Sequence, residues 1–228
     1  MKKFSAYLLS GLIPAIRLLL MTAIITAGSY LAVYPTVYAA DKTPATLLVL
    51  GDSLSGAYGL NSDEGWVALL QQQVTKQGFN YKVVNASVSG DTTRTGLSRL
   101  EPALQTHAPD IVIIALGGND GLRGLPFSEI ENSLVKIIER CKQADVQILL
   151  VGVRLPPNYG PVYNEKFAEL YQRLADTYNI PLVPRMLDQV AEDRSLMQQD
   201  GMHPKAEAQP QVMKNVWAGL QPLLVKDL

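Results

Sequence analysis

From residue 45 onward, apolar and polar positions alternate between two kinds of run. Ala45–Leu50 and Ile111–Leu116 are almost wholly apolar over short lengths. Such runs are strands covered on both faces, because a strand with one wet face would show strict alternation. Tyr81–Ser87, Gln147–Val153 and Leu182–Val183 read as three further strands. Between them, apolar residues recur at helical spacing. Trp66–Gln77 carries Trp66, Val67, Leu69, Leu70 and Val74, and Val162–Asn179 carries Phe167, Leu170, Tyr171 and Leu174. Helices are also predicted over Thr93–Gln105, with Asp91 or Thr92 as cap, over Ser128–Ala144, and over Ala206–Leu224. Pro210 falls near the first turn of the last of these, where proline is tolerated.

Strands that alternate with helices in this way form parallel β-α-β units with right-handed connections. The predicted fold is an α/β three-layer sandwich of about five parallel strands in a flavodoxin-like order. No internal repeat, low-complexity tract or linker marks a second domain.

The amino terminus differs in kind. Lys2 and Lys3 precede an apolar region broken by Arg17, Leu18–Val33 carries no charge, and Val37-Tyr38-Ala39 has the small residues a signal peptidase reads. Residues 1–39 read as a signal peptide cleaved after Ala39, with one folded domain over 40–228, which places the protein in the periplasm or outside the cell. The alternative is an uncleaved anchor. Leu18–Val33 is shorter than the roughly 20 residues of a spanning helix, and Pro35 follows closely.

Cleavage would remove three of 20 basic residues and none of 21 acidic ones, leaving 17 basic residues and a net charge of −4. That surface is a poor match to nucleic acid. The expected partner is a small-molecule substrate, acted on by a monomer without a stable membrane anchor. Cys141 is the single cysteine, so no internal disulfide can form, and its place in a helical pattern suits packing.

Polar, glycine-marked breaks follow the first three strands: Gly51-Asp52-Ser53, Ser89-Gly90-Asp91 and Gly117-Gly118-Asn119-Asp120. In a parallel sheet these converge on the carboxyl edge, where open α/β sheets bind ligands. Ser53 is either part of a turn or a nucleophile. A nucleophilic serine needs a base. His107 sits in a connection to the amino edge and reads as an ordinary surface residue. His203 follows the fifth strand and reaches the carboxyl edge, with Asp200 three residues before it to bind the ring Nδ1–H. Ser53 N–H, Gly90 N–H and the Asn119 amide are candidate oxyanion donors. Asp52 reads as a turn-former, Asp120 as a local loop partner, and Ser55, Ser87 and Ser89 as turn or loop hydroxyls. Zinc-ligand spacing, G-x-G-x-x-G, a P-loop and the Gly-x-Ser-x-Gly elbow are all missing, so neither a metal nor an organic cofactor is expected.

These four blocks, with Asp200-Gly201-Met202-His203-Pro204 as the last, resemble those of the SGNH, or GDSL, hydrolase superfamily. Gly117 to Gly124 and Arg154-Leu155-Pro156-Pro157-Asn158-Tyr159-Gly160 look like its periplasmic thioesterase I, lysophospholipase and arylesterase branch. The resemblance implies Ser53 as nucleophile, His203 as base, Asp200 as its orienting carboxylate, and an oxyanion hole of Ser53, Gly90 and Asn119. It implies a serine esterase and thioesterase acting on aryl esters, lysophospholipids and acyl-CoA-type substrates. It also implies that the loop Asp120–Pro126 helps form the acyl site. Arg123, Asn158 and Tyr159 are candidate substrate contacts, with plain surface or loop roles as the alternative. Ser55-Gly56-Ala57-Tyr58-Gly59 departs from the Ser-Ala-Gly-Tyr-Gly of this branch, so the helix after Ser53 is expected to start or pack differently. A carbohydrate O-acetyl esterase and a non-catalytic module with the same fold are the rival readings.

Overall fold

The computed structural model describes residues 43–226; the segment read as a signal peptide lies outside the described residues. Five strands form one parallel sheet: β1 (Ala45–Gly51), β2 (Tyr81–Asn85), β3 (Ile111–Ala115), β4 (Gln147–Val151) and β5 (Leu182–Val183). Their order is β2-β1-β3-β4-β5, the flavodoxin-like order expected. After β1 the chain moves to one side of the sheet and after β2 to the other, so a crevice opens between the carboxyl ends of β1 and β3.

Side chains alternate between two cores. Leu47 and Val49 of β1 join Ile111 and Ile113 of β3 under α1 (Trp66–Lys76), and the last helix packs on this same face. Leu48 and Leu50 join Val112 and Ile114 on the other face, under α2 (Thr93–His107). All eight side chains are fully buried, and each contributes about 1.5–3 kcal/mol on leaving water. This burial on both faces is why β1 and β3 are continuous apolar runs. Beyond β3 come a five-residue helix α3 (Gly118–Leu122) and α4 (Phe127–Gln143). α5 (Pro161–Tyr178) precedes β5, and α6 (Gln209–Leu220) closes the fold. α4 and α5 cover the same face as α2, and Cys141 packs in that core with its thiol pushed up to about 12 by burial.

Several boundaries differ from the sequence pattern, as where β4 ends at Val151 and not at Val153, and three differences have a visible cause. α3 was expected as loop, because Gly-Gly-Asn-Asp has no helical periodicity. The last predicted helix is divided into a 3₁₀ turn at Ala206–Ala208, α6, and a second 3₁₀ turn at Gln221–Leu223. Pro210 and Pro222 fall at the starts of the latter two segments, where their missing N–H groups cost no ladder bond. β2 ends at Asn85, whose amide leaves the sheet to donate to Ser55 O (2.8 Å). Of the two candidate caps of α2, Thr92 is the one used, in a reciprocal capping box with Thr95.

Candidate active site

The turn after β1 carries Ser53. Asp52 O accepts from Ser55 N (3.2 Å) and Gly56 N (2.8 Å), and Asp52 Oδ1 accepts from Leu54 N (3.0 Å). These bonds coil the chain as soon as the strand ends and leave the Ser53 side chain facing the crevice. Gly51 makes this possible, since a Cβ there would lie 2.7 Å from Ser55 Cβ and 2.8 Å from Ser87 Oγ. Ala57 holds φ +56°, the left-handed conformation that favours glycine. The Gly-Ala order at 56–57 therefore places the larger residue at the strained position.

His203 Nε2 lies 2.8 Å from Ser53 Oγ, and His203 Nδ1 lies 2.7 Å from Asp200 Oδ2. Asp200 Oδ1 accepts from Met202 N (2.9 Å) and His203 N (3.0 Å), which builds the turn that presents the ring. Burial pushes the Asp200 carboxyl up. The hydrogen bonds from the His203 and Met202 backbone and the His203 ring outweigh it and hold the group below its ordinary value. Asp200 is thus an ionised acceptor, able to fix the Nδ1–H tautomer and stabilise an imidazolium. Gln198 clamps this segment. Its N–H donates to His203 O (2.7 Å), and its side-chain amide donates to Tyr58 O (2.8 Å) and Pro204 O (3.1 Å). Tyr58 in turn packs its ring 4.5 Å from that of His203. Neither Gln198 nor Tyr58 stands out in the sequence, because each acts through a contact far along the chain.

Asn119 sits in the first turn of α3. Its Nδ2 donates to Asp91 O (2.9 Å) and leans on Asp52 Oδ2 (3.4 Å). The preceding Gly117 adopts φ +111°, and a Cβ there would collide with the hydroxyl of Tyr171, which donates to Leu116 O (2.6 Å). Asp120 is not a local loop partner. It is buried, and its carboxylate accepts from Thr93 N (2.9 Å) and Thr93 Oγ1 (2.6 Å) at the start of α2. Burial raises its carboxyl, against the Thr93 hydrogen bonds that lower it. Gly90 lies on the exposed loop after β2, and its carbonyl accepts from Arg123 Nη2 (3.0 Å).

Ser53, Asn119 and His203 open onto a cleft of about 270 Å³. Its lining is mainly apolar, with Leu122, Leu155, Leu187, Met197 and Met202 among it. Arg123, Asn158 and Tyr159 do not line it. Arg123 reaches across to the Gly90 loop, Tyr159 donates to Leu122 O (2.6 Å) and stacks on Tyr163, and Asn158 is exposed in a 3₁₀ turn. Their neighbours Arg154, Pro156 and Pro157 do line the cleft. So do Leu187, Ala191, Glu192 and Met197, from an irregular stretch without any motif. Of the rival serines, Ser55 and Ser87 have buried hydroxyls without a hydrogen-bond partner among the described residues. His107 ends α2, away from this edge. Among the described residues no group of three or more His, Cys, Asp or Glu side chains could hold a metal ion.

A serine hydroxyl on a histidine that is oriented by a carboxylate, beside an amide donor and an apolar cleft, can perform acyl transfer. Known proteins agree. The family model of the GDSL-like lipase/acylhydrolases matches residues 49–209. Esterase TesA of Pseudomonas aeruginosa is 44% identical over 204 residues, which are 90% of this chain and 100% of that protein. Thioesterase 1/protease 1/lysophospholipase L1 of Escherichia coli is 43% identical over 182 residues, 80% of this chain and 86% of that protein. A solved structure of TesA superposes with a TM-score of 0.77 at 46% identity, covering 78% of this chain and 99% of that one. The chain belongs to the GDSL-like lipase/acylhydrolase family, and it is an ester hydrolase.

Proposed function

We propose that this ester hydrolase works through Ser53, His203 and Asp200 on acyl esters and thioesters whose acyl chain enters the apolar cleft. The observation that carries the reading is the unbroken hydrogen-bonded line from Ser53 Oγ through His203 to Asp200 at the mouth of that cleft. Ser53 Oγ attacks the acyl carbonyl and His203 Nε2 takes its proton. Ser53 N–H, Gly90 N–H and Asn119 Nδ2 hold the tetrahedral oxyanion. His203 then gives the proton to the departing alkoxide or thiolate, leaving an ester on Ser53. Water, deprotonated by His203, repeats the cycle and releases the carboxylic acid. The relatives' names span esterase, arylesterase, thioesterase and lysophospholipase, which supports a site that accepts several leaving groups.

The apolar lining favours acyl chains longer than acetyl, each further buried methylene being worth about 0.8 kcal/mol. That distinguishes this reading from a carbohydrate O-acetyl esterase. The amino-terminal pattern supports export with cleavage after Ala39, and the mature protein acts as a monomer without a membrane anchor. The test is a chain-length profile with p-nitrophenyl esters from acetyl to palmitoyl, together with labelling by an organophosphonate. The expected result is turnover that rises beyond acetyl and a covalent adduct on Ser53. Activity confined to acetyl esters, or an unlabelled Ser53, would overturn the reading.

A further inference from the structure

The mechanism above leaves one buried ionisable group at the site unused. Asp52 is 4% exposed, borders the cleft and forms no salt bridge among the described residues. Each of its oxygens has a separate task. Oδ1 accepts from Leu54 N (3.0 Å), which shapes the turn that carries Ser53. Oδ2 faces Asn119 Nδ2 at 3.4 Å, while the same Nδ2 donates to Asp91 O at 2.9 Å. A side-chain amide can present either its NH₂ or its carbonyl end. Both partners here are acceptors only, so the amide has to present NH₂. The bond to Asp91 O is well formed. The one to Asp52 is long and weak, so this second N–H can be handed to an oxyanion at little cost.

We infer that Asp52 is the positioning residue of the oxyanion hole: while Asp91 O holds one N–H of the Asn119 amide, the ionised Asp52 carboxylate aims the other and fixes the turn of Ser53. The inference rests on the proposed role of Asn119 as an oxyanion donor. One carboxylate thereby sets the nucleophile and the oxyanion donor relative to each other, although they are 66 residues apart.

The same geometry makes the hole sensitive to acid. Oδ1 is committed to accepting from Leu54 N, so a proton on Asp52 has to reside on Oδ2, the oxygen that faces Asn119. Protonation then sets a donor against the second N–H of Asn119, which Asp91 O still holds by the first. Burial raises the Asp52 carboxyl to about 6, against the Leu54 N–H and the charge of His203, which lower it. Asp120 of α3 and Asp91 of the loop after β2 raise it further, with Asp91 itself paired to Arg99. Tyr171 of α5 also faces the group and is neutral, its phenol pushed up by burial and by the carboxylates of Asp120 and Asp52.

The test is a double-mutant cycle on p-nitrophenyl ester hydrolysis with Asp52→Asn, Asn119→Ala and the pair. Loss of an oxyanion donor costs about 10²–10³ in kcat. Misaiming the donor should cost about 10–100-fold in kcat with KM within about twofold, because the contact matters in the transition state only. The double variant should be no slower than Asn119→Ala alone. Additive losses, or an Asp52→Asn enzyme with the wild-type kcat, overturn the inference. The wild-type pH profile tests it without any variant, in case Asp52→Asn does not fold. Protonation of Asp52 should add a step of about 10–100-fold to the acid side of the wild-type log kcat profile, in the region of pH 6, and a profile without that step overturns the inference. A wild-type enzyme that hydrolyses no acyl ester would sink the proposed function. A hydrolytic wild type with additive losses would sink this inference alone.

Discussion

Asp200→Asn isolates the electronic role of the Asp200 carboxylate from its structural one. Asparagine has the same shape, and its carbonyl can still accept from Met202 N and His203 N, at 2.9 and 3.0 Å in the parent, so the turn that presents the ring is kept. What changes is the atom 2.7 Å from His203 Nδ1. An NH₂ there is a donor, so Nδ1 becomes the acceptor and the ring proton moves to Nε2. That proton then points at Ser53 Oγ, 2.8 Å away. The base would already carry the proton it should take. The corresponding change in a Ser-His-Asp protease lowers kcat by about 10⁴. At 1.36 kcal/mol per decade this is about 5.5 kcal/mol of transition-state stabilisation. The oxyanion hole and the cleft are untouched, so KM should stay near the parent value. Asp200 is a third exposed, so its contribution to stability is small after solvent screening. It has the sign of a lowered carboxyl, present above the ordinary carboxylate range and lost as pH falls through its folded value. Steady-state hydrolysis of p-nitrophenyl butyrate, with a thermal melt by circular dichroism, would decide the matter. A folded Asp200→Asn enzyme within tenfold of the parent kcat would refute the tautomer argument.

Two further outcomes concern stability. Asp52 is raised from 3.8 to about 6 by burial, so its favourable contribution is complete below 3.8 and is lost as pH rises through about 6. Two pH units amount to about 3 kcal/mol. Urea midpoints for wild type and Asp52→Asn should therefore shift in favour of the variant from acid to neutral pH, and a pH-independent difference would refute the burial argument. Ala57→Gly should reverse the usual penalty of glycine. Relief of the left-handed φ is worth about 1–2 kcal/mol, and the extra freedom of unfolded glycine takes back about 0.5–1. A net gain of up to about 1 kcal/mol follows, seen as a higher melting temperature, and a clear loss would contradict it.

The sheet was legible because its signal is local. Burial on both faces forces continuous apolar runs in β1 and β3, and the helical spacing of residues such as Phe167, Leu170 and Leu174 follows from one buried stripe. The order of strands followed from handed crossovers, and that order alone brings the breaks after β1, β2 and β3 to one edge. Ser53, His203 and Asp200 could be picked out because an Asp-x-x-His pair beyond β5 has few places to go but that edge. The cleft wall could not be found in this way. Leu187 and Met197 come from an irregular stretch without periodicity, and α3 begins in a glycine-rich tetrad that reads as a turn. Arg123 and Tyr159 were read as candidate substrate contacts, but each is drawn away from the cleft by a carbonyl distant in sequence. The layers and the edge follow from spacing along the chain, as does the choice of Ser53, His203 and Asp200 as the groups proposed to react. The cleft and the second contact of Asp52, with Asn119, belong to the tertiary structure. Burial and hydrogen-bond partners belong to neighbours in space, and 66 residues of chain separate Ser53 from Asn119.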